Sequence, residues 1–246
     1  MNVFAIGDLH LSGNPPTHPM NVFGAHWDQH WDKIQKDWLA KVGPEDIVLL
    51  LGDTSWALKL NQALEDLEAI AQLPGHKFII RGNHDYWWSS ATKMTKATKG
   101  HFHFIQGHGD LILDGTRSIA LGGSRAYLCP NDTAFKEDTD RSIYERELMR
   151  VEAALQEMDS LLAKAKEEHP EIQEEIRLLL LHYPPFNDEN QASGFTDLMA
   201  KYKVDHCVFG HLHDQNSFDR IPHYFGSTQL HLVSADYLNF TIKELL

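Results

Sequence analysis

Five short stretches of this chain place acids, histidines and an asparagine directly after a glycine or an apolar run: Gly7-Asp8-Leu9-His10, Gly52-Asp53, Gly82-Asn83-His84-Asp85, His182, and Gly210-His211-Leu212-His213. Oxygen donors mixed with imidazoles suit manganese, iron or zinc, whereas calcium prefers all-oxygen shells. An aspartate and a histidine one residue apart can project to the same side of an extended segment, and so can His211 and His213. The chemistry implied is a paired-metal centre with Asp53 as the shared ligand. Two metals ~3.5–4 Å apart can hold a hydroxide for in-line attack and also stabilise the leaving oxygen. Two divalent ions, less the carboxylates of Asp8 and Asp53 and one hydroxide, leave a site charge of about +1, the local positive island that a phosphate ester requires.

Each stretch needs an element to position it. Ile47-Val48-Leu49-Leu50-Leu51 is a short apolar run that ends at Gly52. Such a run reads as a buried strand, parallel and covered on both faces. An acid at its end lies on the carboxyl edge of a sheet, where open α/β folds bind ligands. Taken alone, an aspartate at a strand end more often simply opens a turn. Val3 to Ile6, Phe78 to Ile80, Ile176 to Leu181 and Val204 to Phe209 read as strands that end in the same way.

Between them, Trp27, Trp31, Ile34 and Trp38 recur at helical spacing, as do Leu60, Leu64, Leu67 and Ile70. Gly, Asn and Pro between Ser12 and Met20 predict an exposed loop. Phe102 to Leu121 reads as hairpins punctuated by glycines. Tyr144, Leu148, Val151, Leu155, Met158, Leu162 and Ala165 mark a long amphipathic helix. The strict stepping would suit a coiled-coil seam. Ile143, Ala154 and Leu161 widen the stripe, which favours packing against a sheet.

A chain of 246 residues without a linker-like segment is expected to be a single domain over residues 1–246. Hydrophobic residues at 42% and charged residues at 23% describe a globular protein. A formal charge of −13 argues against gripping a nucleic-acid polymer, because that affinity comes from neutralising phosphates. Cys129 and Cys207 have no metal-knuckle or redox spacing and read as free thiols in a reducing compartment. With no membrane-length apolar run and no room for a signal before Gly7, a cytoplasmic location is expected.

The sequence resembles the calcineurin-like metallophosphoesterase superfamily, with the five stretches in the family's order from Asp8 to His213. The resemblance implies an α/β (α+β) fold, a four-layer αββα sandwich of two mixed sheets. It implies that Asp8, His10, Asp53 and His213 hold one divalent ion (Mn, Fe, Zn or Ni), and that Asp53, Asn83, His182 and His211 hold a second. It also implies that His84 stands by the phosphoryl group, stabilising the transition state or protonating the leaving oxygen. One departure narrows the branch. Protein-phosphatase members carry an aspartate three residues after the bridging one, where it pairs with the catalytic histidine, and this chain has Trp56 there. Asp85 is the adjacent acid.

The chain is therefore expected to be a phosphoric ester hydrolase, acting by metal-bridging hydroxide on a phosphodiester or a small phosphorylated metabolite or nucleotide. The alternatives are a phosphomonoesterase or nucleotidase, or a metal-binding scaffold on the same fold. A nuclease would need a basic groove. Three further residues are candidate substrate contacts. His26, with His18 and His30, follows the first metal stretch and could line a pocket with Trp27 and Trp31, or sit on a surface loop. Trp87, within Tyr86-Trp87-Trp88, could wall the pocket or anchor the next helix. Arg125, after Gly122-Gly123-Ser124, could clamp a phosphate or lie on the surface. His101, His103 and His108 belong to no recognisable spacing.

Overall fold

The apolar runs that end in glycine and an acid pair with one another. In the computed structural model, which describes residues 1–246, β1 (Val3–Ile6), β2 (Ile47–Leu50) and β3 (His76–Ile80) run parallel. Ile6 lies beside Leu50, and Leu50 beside Ile79. This register levels their carboxyl ends, so Gly7-Asp8, Gly52-Asp53 and Gly82-Asn83 leave the sheet along one edge. The C-terminal strand Lys243–Glu244 joins β1 antiparallel, and β4 (Phe102–Ile105) borders β3.

The chain divides into two compact units, and this sheet belongs to the first, Met1–Phe104 with Val233–Leu246. Three helices accompany it: α1 (His30–Lys41), α2 (Leu60–Ala71) and α3 (Ala91–Ala97). Phe4, Ile6, Val48, Leu50 and Ile79 share one buried cluster with Ile34, Trp38, Leu67, Ile70 and Met94. Each such large side chain contributes about 1.5–3 kcal/mol by leaving water. The alternate strand residues Val3, Ala5, Ile47, Leu49, Phe78 and Ile80 are buried as well. Both faces of these strands are thus apolar and covered, as the unbroken apolar runs predict.

One helix boundary differs from the periodicity. The tryptophan spacing predicts a helix from Trp27, but α1 begins at His30. Trp27 closes a short 3-10 turn, Ala25–Trp27. Asp28 is extended and Gln29 left-handed at φ 54°, a conformation that cannot continue a right-handed helix. Trp27 nevertheless stays buried, so the spacing marked the inward side chains correctly.

The second unit, Ile105–Leu232, carries a six-stranded sheet. The strands β5 (His108–Asp114) and β6 (Arg117–Ser124) form the antiparallel hairpin expected from the glycine-punctuated stretch. The long α4 (Glu137–Glu168) follows, then β7 (Glu174–Leu181), α5 (Gly194–Lys201) and β8 (His206–Phe209). The unit closes with α6 (Gln215–Arg220), β9 (Tyr224–Phe225) and β10 (Thr228–Leu232). The order is β5-β6-β7-β8-β10-β9, parallel from β6 to β10 and antiparallel at both edges. On α4, Val151, Leu155, Met158 and Leu162 cluster with Ala120, Leu179, Leu181, Cys207 and Phe209. Its apolar stripe is therefore spent on the sheet, as the widened pattern predicts, and not on a partner helix. Both sheets are mixed. No helix is long and apolar enough to cross a membrane.

Candidate metal centre

In the first unit the loops after β1 and β2 are laced together. The backbone N–H groups of Asp8, His10 and Leu11 donate to the carbonyls of Gly52, Asp53 and Thr54 at 2.9–3.0 Å. Asp8, His10 and Asp53 are all buried. His10 Nε2 lies 3.9 Å from Asp53 Oδ2. Asp8, His10 and Asp53 hold φ of 58°, 48° and 49°. Non-glycine residues avoid this left-handed region, and its cost of about 1–3 kcal/mol each is tolerated where the surroundings fix a functional geometry.

The loop after β3 closes over Asp53. His84 N–H donates to Asp53 Oδ1 at 2.7 Å. Gly82 makes this approach possible, since a Cβ there would lie 2.1 Å from both Asp53 N and Asp53 Oδ1. The wholly buried Asp85 ties the loops of β2 and β3 together. Its Oδ1 accepts from Thr54 N at 2.9 Å, Ser55 N at 3.3 Å and Trp87 Nε1 at 2.9 Å, while Oδ2 accepts from Gly82 N at 2.8 Å. Asp85 therefore organises the loops that carry Asp53 and Asn83.

Trp56 occupies the place of the acid that protein phosphatases carry. Its ring lies 4.9 Å from His10, stacked, and 4.6 Å from His84, tilted by 50°. The indole N–H turns away, to Met20 Sδ at 3.3 Å. His84 Nδ1 is buried without a hydrogen-bond partner. Aromatic packing, rather than a carboxylate, thus sets the orientation of this imidazole.

A further layer lies beneath. Asp66 on α2 accepts from Ser55 Oγ at 2.5 Å and from Gly13 N at 2.7 Å, pinning the loops after β1 and β2 to one helix. Burial raises the Asp66 carboxyl pKa, against the pull of these donors. His30 Nε2 meets Leu9 O at 2.9 Å, inside the first metal stretch, and burial lowers its pKa. Periodicity could not reveal Asp66, which sits 53 positions from its partner Gly13.

In the second unit, β6, β7 and β8 end level. His182 and Tyr183 N–H donate to Arg125 O at 3.1 and 3.0 Å, and Gly210 N–H donates to His182 O at 3.1 Å. Arg125 thus lies beside His182 at the sheet edge, half-buried, with its guanidinium carbon 5.5 Å from the Tyr127 ring centre. His182 is wholly buried and meets the His211 ring edge-on at 5.1 Å. His211 adopts φ 72°, another left-handed position, and His213 is exposed.

The remaining candidates fall differently. A cavity of about 410 Å³ in the first unit is lined by His10, His18, Trp27, His30 and Trp31, but not by His26, which is exposed. Trp87 is buried in the core, where it packs and donates to Asp85, and it also borders a cavity of about 450 Å³ with Leu60, Leu64 and Trp88. His103 stacks on Phe78 at 4.4 Å.

Buried carboxylates beside imidazoles make a donor set that fits divalent cations, because buried charge of one sign needs compensation. Residues 1–215 match the family described as calcineurin-like phosphoesterase. Over 84 residues the chain is 34% identical to the Gene 66 protein of Mycobacterium phage D29, a stretch covering 34% of this chain and 40% of that protein. Two solved structures share the fold. Phosphopantetheinyl hydrolase (PptH) from Mycobacterium tuberculosis aligns over 100% of this chain and 95% of its own, with a TM-score of 0.53 at 13% identity. TT1561 of Thermus thermophilus aligns over 99% and 97%, with a TM-score of 0.50 at 11% identity. The family match takes in all five strand-end stretches, and this chain belongs to the calcineurin-like phosphoesterase family, whose members are metal-dependent phosphoesterases.

Proposed function

We propose that the chain hydrolyses a phosphodiester or a small phosphorylated metabolite in the cytoplasm, working as one functional domain over residues 1–246. Asp8, His10, Asp53 and His213 are the proposed ligands of one divalent ion, and Asp53, Asn83, His182 and His211 of a second, drawn from Mn, Fe, Zn or Ni. When bound, such a pair supplies an activated water and charge neutralisation at phosphorus. The observation that carries this reading is backbone strain. Four of the twelve non-glycine residues at positive φ are Asp8, His10, Asp53 and His211, all proposed ligands at strand ends.

The residues of the chain do the rest. Asp53 is held by the His84 N–H and by the close approach over Gly82. The His84 ring is wedged by Trp56, with Nδ1 facing inward, which leaves Nε2 to meet the phosphoryl group or the leaving oxygen. The lack of an acid at Trp56 favours small esters over phosphoproteins. The two buried free thiols agree with a reducing compartment.

The test is a turnover panel of mono- and diester substrates on protein reconstituted with each metal, alongside metal analysis of variants. Asp53→Asn and His182→Ala are expected to lose both metal and activity, and His84→Ala to keep metal while losing turnover by about 10²–10⁴-fold. Full metal binding with inactivity on every ester would favour a scaffold. Monoester-only turnover would favour a phosphomonoesterase.

A further inference from the structure

The second unit contains a cavity of about 340 Å³ that reaches His211. Its walls are mainly apolar and aromatic, including Tyr127, Tyr183, Phe186, Leu212 and Ile221. The Tyr183 ring centre lies 4.0 Å from that of His211 and 5.5 Å from that of Tyr127. Flat surfaces therefore lead from a proposed metal ligand into the cavity. The volume falls within the range of small-molecule sites, about 300–1,000 Å³.

The polar groups of the wall are biased. Asp188 and Asn190 both line the cavity, and each keeps a side-chain Oδ1 buried without a hydrogen-bond partner. Their other groups are committed. Asp188 Oδ2 accepts from the Thr133 hydroxyl and from Thr133 N at 3.3 Å, and Asn190 Nδ2 donates to Arg220 O at 2.8 Å. Arg220 Nη1 donates to Asp188 O at 2.6 Å. The unmet demand is thus for donors alone, at two acceptors. An aliphatic chain would leave both unsatisfied. A planar ring with N–H groups on its edge meets both the aromatic walls and the acceptors.

Resting on the phosphoesterase reading above, we propose that this cavity binds a nucleobase, which makes the substrate class a nucleotide ester with its phosphoryl group toward His211. Stacking supplies sequence-tolerant affinity, and the two acceptors select bases that carry an exocyclic amine.

The experiment titrates the full-length, metal-loaded protein calorimetrically with adenosine, cytidine and guanosine. Purine riboside, which lacks the amine of adenosine, and ribose serve as controls, and turnover of bis(p-nitrophenyl) phosphate is followed in parallel. An aminated nucleoside is expected to bind, with purine riboside ~10-fold weaker than adenosine and no binding of ribose. Asn190→Gly, compatible with the φ of 57° there, should weaken binding ~10-fold, and Tyr127→Ala should abolish it while Tyr127→Phe retains it. Absence of nucleoside binding with ester turnover intact overturns the pocket assignment and leaves the phosphoesterase reading standing. Nucleoside binding without turnover of any phosphate ester does the reverse. Binding that survives both Asn190→Gly and Tyr127→Ala also overturns the assignment.

Discussion

Gly82→Ala tests how the centre is assembled. The added methyl carbon would sit 2.1 Å from Asp53 N and 2.1 Å from Asp53 Oδ1, where ordinary contact begins at 3.4 Å, so a gap of about 1.3 Å must open. One obstructing atom is backbone in a strained left-handed residue, and a rotamer change cannot relieve it. Overpacking of this kind costs about 1–3 kcal/mol, and for a chain of this length each kcal/mol lowers Tm by roughly 2–4 °C. A loss at the upper end, about 6–12 °C, is expected. A displacement near 1 Å at a proposed bridging ligand should lower turnover about 100-fold and reduce metal content. Gly115→Ala is the control. It meets no atom within 4 Å and bears only the left-handed cost of a φ of 61°, about 1–2 kcal/mol. Calorimetric melting, metal analysis and ester turnover read the comparison. A Gly82→Ala protein that matches Gly115→Ala in all three would refute the argument that this close approach holds Asp53.

Asp85→Ala would strand four donors, the N–H groups of Thr54, Ser55 and Gly82 and the Trp87 indole. It should cost about 3–5 kcal/mol in denaturant unfolding; a loss under 1 kcal/mol would show that the loops repack without it. Trp56→Ala removes the ring that packs on His84 and His10 and should lower kcat about tenfold or more, while Trp56→Phe keeps most of it. Equal kcat for the two variants would deny the ring a positioning role. Burial lowers the pKa of His206, whose Nδ1 lies 3.1 Å from His231 Nε2. The unfolded chain then takes up the proton first as pH falls below 6.5, so the stability tied to neutral His206 is complete above that pH and declines beneath it. Unfolding free energies of wild type and His206→Gln should therefore converge or cross on going from pH 7.5 to 5.5, and a constant difference would contradict this.

The amino-acid order by itself determined the strands, the helix stripes and the five polar stretches. Local rules suffice for these, because a branched apolar run before a glycine and a repeat near 3.6 are short-range signals. Even the misplaced start of α1 left Trp27 correctly assigned to the core, since spacing reports which side chains turn inward better than where a helix begins. The tertiary structure decided what spacing cannot encode. Asp85 reads as one more acid in a motif until its four donors converge on it. Asp66 and His30 brace loops far away in sequence. Trp87 reads equally as pocket wall or anchor, and only the packing shows it buried in the core with its indole N–H on Asp85. Arg125, one residue among many after a glycine pair, is placed beside His182 only by the register of β6 and β7. In each case the deciding quantity is a distance between residues remote in the chain. Parallel strands fix that distance by registering their ends, and a sequence read one window at a time does not contain it.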